Sequence, residues 1–244
     1  KLFQFLARDE ARHAGFLSRA LVAEGIEVDL PHLGGKRAAT WFPISWVIYS
    51  VYLSEKIGYW RYILMDRHLK ANPGEAFAPL FDFFEPWCQD ENRHGDCFTV
   101  MMRCWPGITK GWRGKLLSRF FLWSVFLTHT LTVCERGEFY ELLGIEPKEF
   151  DEEVIKRTNH TSKNAFPWVF NLEDNRFWDL RNNIIEAFRA FVSTKGIAKP
   201  VKFLKFVSLI FQQFALPMEA TNALRYEKDV NFTGGDILNF WTDK

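Results

Sequence analysis

Asp9-Glu10-Ala11-Arg12-His13 and Asp90-Glu91-Asn92-Arg93-His94 write the same frame twice, and they match at four of five positions. Each holds Glu-x-x-His. On a helix, residues three apart lie on one face, one turn from each other, so each frame delivers a carboxylate and an imidazole to one point. One such pair is common, but two in matching polar frames, each beside Phe, Leu or Trp at helical spacing, are not. Glu10, His13, Glu91 and His94 are therefore expected to be metal ligands rather than solvated surface residues.

Two Glu-x-x-His pairs with a Glu from each of two further helices form the ligand set of ferritin-like di-iron carboxylate bundles. The spacing around Asn72-Pro73-Gly74 supplies one further Glu. Glu55 lies 17 residues before Asn72, and Glu91 lies 17 after Gly74. If both arms are helical and antiparallel, both carboxylates stand roughly 25 Å from the turn, at about 1.5 Å per residue. Pro79 and Pro86 limit that argument, since each breaks or kinks a helix. Glu10 should have its own partner at a similar offset, but that position falls before Lys1. Because Leu2, Phe3, Phe5 and Leu6 are already periodic and uncapped, the chain is expected to lack the first helix and its ligand. Three carboxylates leave two ferrous ions net positive in a buried site, so the second iron is expected to bind weakly.

Around these ligands, Asp9 and Asp90 suit the task of holding the second ring nitrogen of a ligating His. Arg12 and Arg93 either pair with those aspartates and partly neutralise the site, or form surface salt bridges. His32, His68, His129 and His160 lack ligand spacing and are expected to be structural. Glu85, six residues before Glu91, faces away by helical phase and is not expected to bind metal.

The expected fold is all-α, a ferritin-like helical bundle with a C-terminal helical extension. Helices are predicted from Lys1 to about Glu24, from Pro43 to about Lys70 and from Pro79 to Arg103, with residues 26–40 as a long crossover. Residues 1–108 form the bundle. Residues 109–244 form the extension, with helices from Lys110 to Val133, Glu138 to Leu143 and Pro147 to Thr158, and further helix beyond Phe177. Gly25 and Gly144 are the expected helix stops. Strand patterning is nearly absent.

A net charge of +1, with no basic stripe, excludes general affinity for nucleic acid. Cys88, Cys97, Cys104 and Cys134 lack zinc-type pairing and read as reduced thiols, with Cys88 either a buried hydrophobe or a redox modulator. The 25 Phe and 10 Trp suit a large core, a pocket for a flat macrocycle, or a face lying on a bilayer. No apolar run reaches the ~18 residues of a spanning helix. Phe120–Val133 and Phe206–Met218, however, follow basic clusters: Lys110, Arg113, Lys115 and Arg119, then Lys199, Lys202 and Lys205. That pattern reads as membrane-surface contact.

The stretches ARDEARHAGFL (7–17), YLSEKIGYWRY (52–62) and FFEPWCQDENRHGD (83–96) resemble the aerobic magnesium-protoporphyrin IX monomethyl ester oxidative cyclases of phototrophs. The match is looser through Arg119-Phe120-Phe121 and Glu149-Phe150-Asp151. The resemblance implies a membrane-associated di-iron monooxygenase, held peripherally on the cytoplasmic side of a photosynthetic membrane. It would oxidise the methyl-esterified propionate of Mg-protoporphyrin IX monomethyl ester with O2 and close the fifth ring of chlorophylls. Glu10, His13, Glu55, Glu91 and His94 match the family's iron-ligand motif. The resemblance also implies an external reductant, delivered by an electron-donor protein or an NADPH-linked reductase, and a small auxiliary subunit in many members. Competing readings are another di-iron carboxylate oxidase, or a membrane-attached helical scaffold with no enzymatic role.

Overall fold

The structure, a computed structural model, describes residues 1–26, 41–76 and 78–222. Among these residues eight α-helices account for most of the chain. They are α1 (Leu2–Ala23), α2 (Ile44–Ala71), α3 (Phe84–Cys104), α4 (Gly111–Glu135), α5 (Gly137–Leu142), α6 (Pro147–Ser162), α7 (Asn175–Ser193) and α8 (Lys199–Phe214). The protein is all-α with a ferritin-like core, as expected. Most of the predicted crossover, and His32 within it, lies outside the described residues.

Local chemistry sets the helix ends. Gly25 closes α1 at φ 71° and Gly144 closes the α5 turn at φ 66°, a left-handed backbone that L side chains rarely adopt. Glu146 caps α6 by accepting from the Glu149 amide, with Pro147 in the first turn. Asp174 caps α7 through the Arg176 amide. The α7 and α8 helices meet the expectation of helix beyond Phe177 as far as Phe214, whereas Met218–Ala220 is a strand and residues 223–244 lie outside the described residues.

The arm carrying the second frame departs from expectation. It is not one helix from Pro79, because Pro79–Phe83 is a 3-10 turn and α3 begins at Phe84. Pro79 supplies no amide for an α-helical ladder and restrains the residue before it to extended backbone, as Ala78 shows at ψ 136°. Glu91 nevertheless reaches the level of Glu55. The second arm takes more residues than the first to reach the same height, since Lys56, 16 before Asn72, pairs with Asp96, 22 after Gly74. The α2 and α3 helices run antiparallel, which the pairs Lys56–Asp96, Tyr62–Trp87 and Lys70–Glu85 trace from one end to the other. The α1 helix lies against the other flank of α3, with Phe16 stacked on Phe83 and His13 beside Asp90.

The hydrophobic core runs from Ile48 on α2 through Phe98 on α3, Phe126 on α4 and Val154 on α6 to Phe177 on α7. Tyr49 and Tyr52 pack on Phe166 at its centre. A two-stranded antiparallel sheet, β1 (Trp168–Phe170) with β2 (Met218–Ala220), ties the end of α8 back to this core in the register Val169↔Glu219. Arg119 fastens the same corner by donating to the carbonyls of Phe214 and Leu216. The α4 helix is long and apolar enough to cross a membrane by length and mean hydropathy, although no uninterrupted apolar run reaches ~18 residues. Yet α4 packs against α2, α6, α7, α8 and β1, so its apolar length also serves the interior.

Beneath α4, α6 and α7 sits a buried ionic network. Asp151 accepts from His129 Nδ1 at 2.7 Å, from Thr130 Oγ1 at 2.9 Å and from Arg181 Nε at 2.6 Å. The His129 ring is thereby a satisfied core histidine on one side, in line with its expected structural role. His68, half-buried between Glu75 and the Leu143 carbonyl, is likewise held by hydrogen bonds.

Candidate metal centre

One oxygen or nitrogen from each of Glu10, Glu55, Glu91 and His94 falls within 4.8 Å of the others. Helix α1 supplies Glu10, α2 supplies Glu55, and α3 supplies Glu91 and His94 one turn apart. His13 turns its Nδ1 to the same point, 3.7 Å from Glu10 Oε2 and 3.5 Å from Glu91 Oε1. All five residues singled out from the sequence thus converge on one locus. Glu85 lies apart, exposed and paired with Lys70.

The two imidazoles are oriented alike. His94 presents Nδ1 to Glu10 at 3.2 Å and to Glu55 at 3.3 Å. Its Nε2 lies 3.4 Å from Asp9, while the Nε2 of His13 lies 3.2 Å from Asp90. The pairing is crosswise: the aspartate of each frame holds the histidine of the other. Donation of each Nε2–H to a carboxylate would leave Nδ1 of each ring as the inward atom that binds a metal once its proton is displaced. Arg12 bridges the two frames by bonding Asp90 and approaching Asp9 at 3.1 Å, and Arg93 pairs with Asp90 at 3.1 Å. Both arginines are partly exposed, so these pairs contribute modestly to stability.

Trp87, four residues before Glu91, was not anticipated from the sequence. Its indole N–H donates to Glu91 Oε1 and its ring stacks on His13 at 4.8 Å. The helical i, i+4 spacing from Glu91 was the available signal. Tyr62 and Phe84 extend this aromatic wall. Cys88 behind it is buried, and burial, then Asp66 and Glu91, push its thiol up to about 12. A thiol so rarely ionised is a poor redox modulator.

The electrostatics show a cluster short of positive charge. Burial and then the adjacent Glu55 carboxylate push the Glu91 carboxyl up to about 9. Burial alone would lower His94, but Glu55, Asp9 and Glu10 outweigh it and raise the imidazole to about 9. Burial likewise opposes ionisation of Glu55 and Asp90. His94 and Glu91 hold Glu55 below the usual carboxylate range, and Arg12 and His13 do the same for Asp90. Protons gather here because like charges crowd a buried space. A hard divalent cation, taking their place, satisfies the same demand with carboxylate and imidazole donors. His13 Nδ1, buried with no hydrogen-bond partner, is the observation that fits a metal best.

Fold and site together define a ferritin-like helical protein with a carboxylate–histidine cluster suited to iron. The rubrerythrin family matches residues 1–102. Over 93% of its length the chain is 73% identical to a magnesium-protoporphyrin IX monomethyl ester [oxidative] cyclase of Prochlorococcus marinus. It is 47% identical over 88% of its length to cyclase 2 of Thermosynechococcus vestitus, and 53% identical over 72% to cyclase 2 of Synechocystis sp.. No solved structure matches. By sequence the chain is a homologue of these oxidative cyclases, and it spans 65%, 61% and 49% of the lengths of those three relatives.

Proposed function

We infer that this chain carries the di-iron centre of an O2-dependent oxidative cyclase acting on Mg-protoporphyrin IX monomethyl ester. Glu10, His13, Glu55, Glu91 and His94 would hold iron, and Asp9 and Asp90 would orient the two imidazoles. The observation that carries the reading is the crosswise Asp–His arrangement, with both Nδ1 atoms and three carboxylates turned to one point. When bound, iron supplies the reductive activation of O2 that attack on an unactivated C–H bond requires. The chain's own residues do the rest. Asp9 and Asp90 keep each Nε2 protonated and each Nδ1 free to donate. Trp87 holds one oxygen of Glu91, leaving the other available, and with Tyr62 and Phe84 it excludes water from that flank. Electrons come from a separate reductase or donor protein, and a small auxiliary subunit assists.

Residues 1–108 are the metal-binding unit in this reading, and residues 109–244 form an extension that faces a membrane surface. On α8, exposed Val201, Leu204 and Phe211 alternate with exposed Lys199, Lys202 and Lys205. Apolar side chains interleaved with lysines suit the interface of an anionic bilayer. Reversing all three lysines to Glu is expected to weaken sedimentation with phosphatidylglycerol vesicles at least about 100-fold, at about 1 kcal/mol per lysine. Unchanged binding would move the contact off α8.

The functional reading is tested by loading ferrous iron anaerobically, admitting O2 with the porphyrin ester and a reductant, and following ring closure by absorbance. Turnover in the native chain and none in Glu55→Ala is expected. A membrane scaffold, in contrast, keeps its fold without iron and is indifferent to Glu55→Ala.

A further inference from the structure

The two frames that match in their ligands differ immediately around them. Asn92, Gly95 and Asp96 of the second stand where the first has Ala11, Ala14 and Gly15. The structure shows what those three residues do. Lys56, next to Glu55 on α2, lays its side chain across Gly95 of α3 and is only 2% exposed. Its Nζ donates to the Asn92 carbonyl at 3.1 Å, to Asn92 Oδ1 at 2.6 Å and to Asp96 Oδ1 at 2.5 Å. A Cβ placed on Gly95 would meet Lys56 Cε at 2.6 Å, Cδ at 2.7 Å and Cγ at 3.0 Å. A free lysine would swing aside, but one held at its tip by three acceptors cannot. Gly95 is therefore a notch cut for this side chain.

We propose that the Lys56–Gly95 clasp sets the height of α2 on α3 and so places Glu55 against His94 and Glu91. Lys56 is a positioning residue, acting through its neighbour Glu55; this rests on the metal-binding reading above. The clasp interleaves with the candidate ligands: Lys56 follows Glu55, Asn92 follows Glu91, and Gly95 follows His94. A slip of one residue along a helix axis moves a side chain about 1.5 Å and turns it about 100°. Glu55 Oε2, 3.3 Å from His94 Nδ1, would leave the cluster with such a slip. Burying an ammonium is costly even when it is paired, as Lys56 is with Asp96. A solvated lysine or an apolar residue would pack α2 on α3 without that cost, so register is what the buried cation adds.

The test is a cobalt(II) titration of the native chain followed by visible absorption, beside Lys56→Met, Gly95→Ala and Asp96→Asn, with folding checked by far-UV circular dichroism. Groups that orient metal ligands typically carry about 10–100-fold in affinity, and that loss is expected in Lys56→Met and Gly95→Ala, with altered absorption bands. Gly95→Ala should add nothing to Lys56→Ala, because the trimmed side chain leaves room for the methyl. A merely structural role would lower the melting temperature and leave cobalt affinity and spectrum unmoved. Native affinity and spectrum in folded Lys56→Met overturn the clasp; if that variant does not fold, the same result in Gly95→Ala and Asp96→Asn does so. No cobalt binding by the native chain would overturn the metal reading and the clasp with it.

Discussion

Glu91→Ala is expected to cost this protein its iron. Glu91 lies 3.5 Å from His13 Nδ1, and one of its oxygens lies within 4.8 Å of a ring nitrogen of His94. It is buried, and Trp87 holds it in one rotamer. Groups that only orient a ligand carry about 10–100-fold in metal affinity, so removal of the ligand itself should exceed about 100-fold. Anaerobic titration with ferrous iron, read as iron retained per chain after desalting, measures this directly. Glu85→Ala, on the same helix but exposed and paired with Lys70, should retain iron as the native chain does. Native stoichiometry in Glu91→Ala would remove Glu91 from the site and leave the crosswise frames as a salt-bridge network.

Asp151→Ala should have the largest effect on stability, and for a reason unrelated to metal. Asp151 is 1% exposed and satisfies His129, Thr130 and Arg181, which is also 1% exposed. Removing the carboxylate leaves a buried guanidinium with the Lys148 carbonyl, Asn182 and, at 3.8 Å, the partly exposed Glu152 carboxylate as its remaining partners. Breaking a buried ion pair from one side costs about 3–5 kcal/mol, a large part of the stability of an ordinary domain. Urea denaturation of the native and variant chains would show this as a lower midpoint at similar slope. A loss below about 1 kcal/mol would mean that water reaches Arg181 or that the network is not closed.

The particular elements show where local information ends. Both frames, the start of α6 at Pro147 and the stops at Gly25 and Gly144 were legible in the chain, because capping, left-handed glycines and i, i+3 pairs depend on neighbours in sequence. The second arm was misread as one helix from Pro79 because a proline marks a break without stating how the chain climbs past it. The β1–β2 pair joins three-residue segments some fifty positions apart, too short for a period to register. Asp151, His129 and Arg181 sit on three helices, and no spacing relates them.

By itself, then, the sequence determined an all-α chain whose donors recur in two helical frames with a third carboxylate at matching height. What only the tertiary structure decided is which frame completes which. Asp9 lies four residues before His13, the spacing of a same-helix pair, yet His13 is held by Asp90 and His94 by Asp9. Facing antiparallel helices bring the aspartate of one frame nearer to the histidine of the other than to its own. Trp87 on Glu91 and Lys56 over Gly95 belong to the same category. Donor type is a property of residues, whereas the direction of a lone pair is a property of the neighbours that packing supplies.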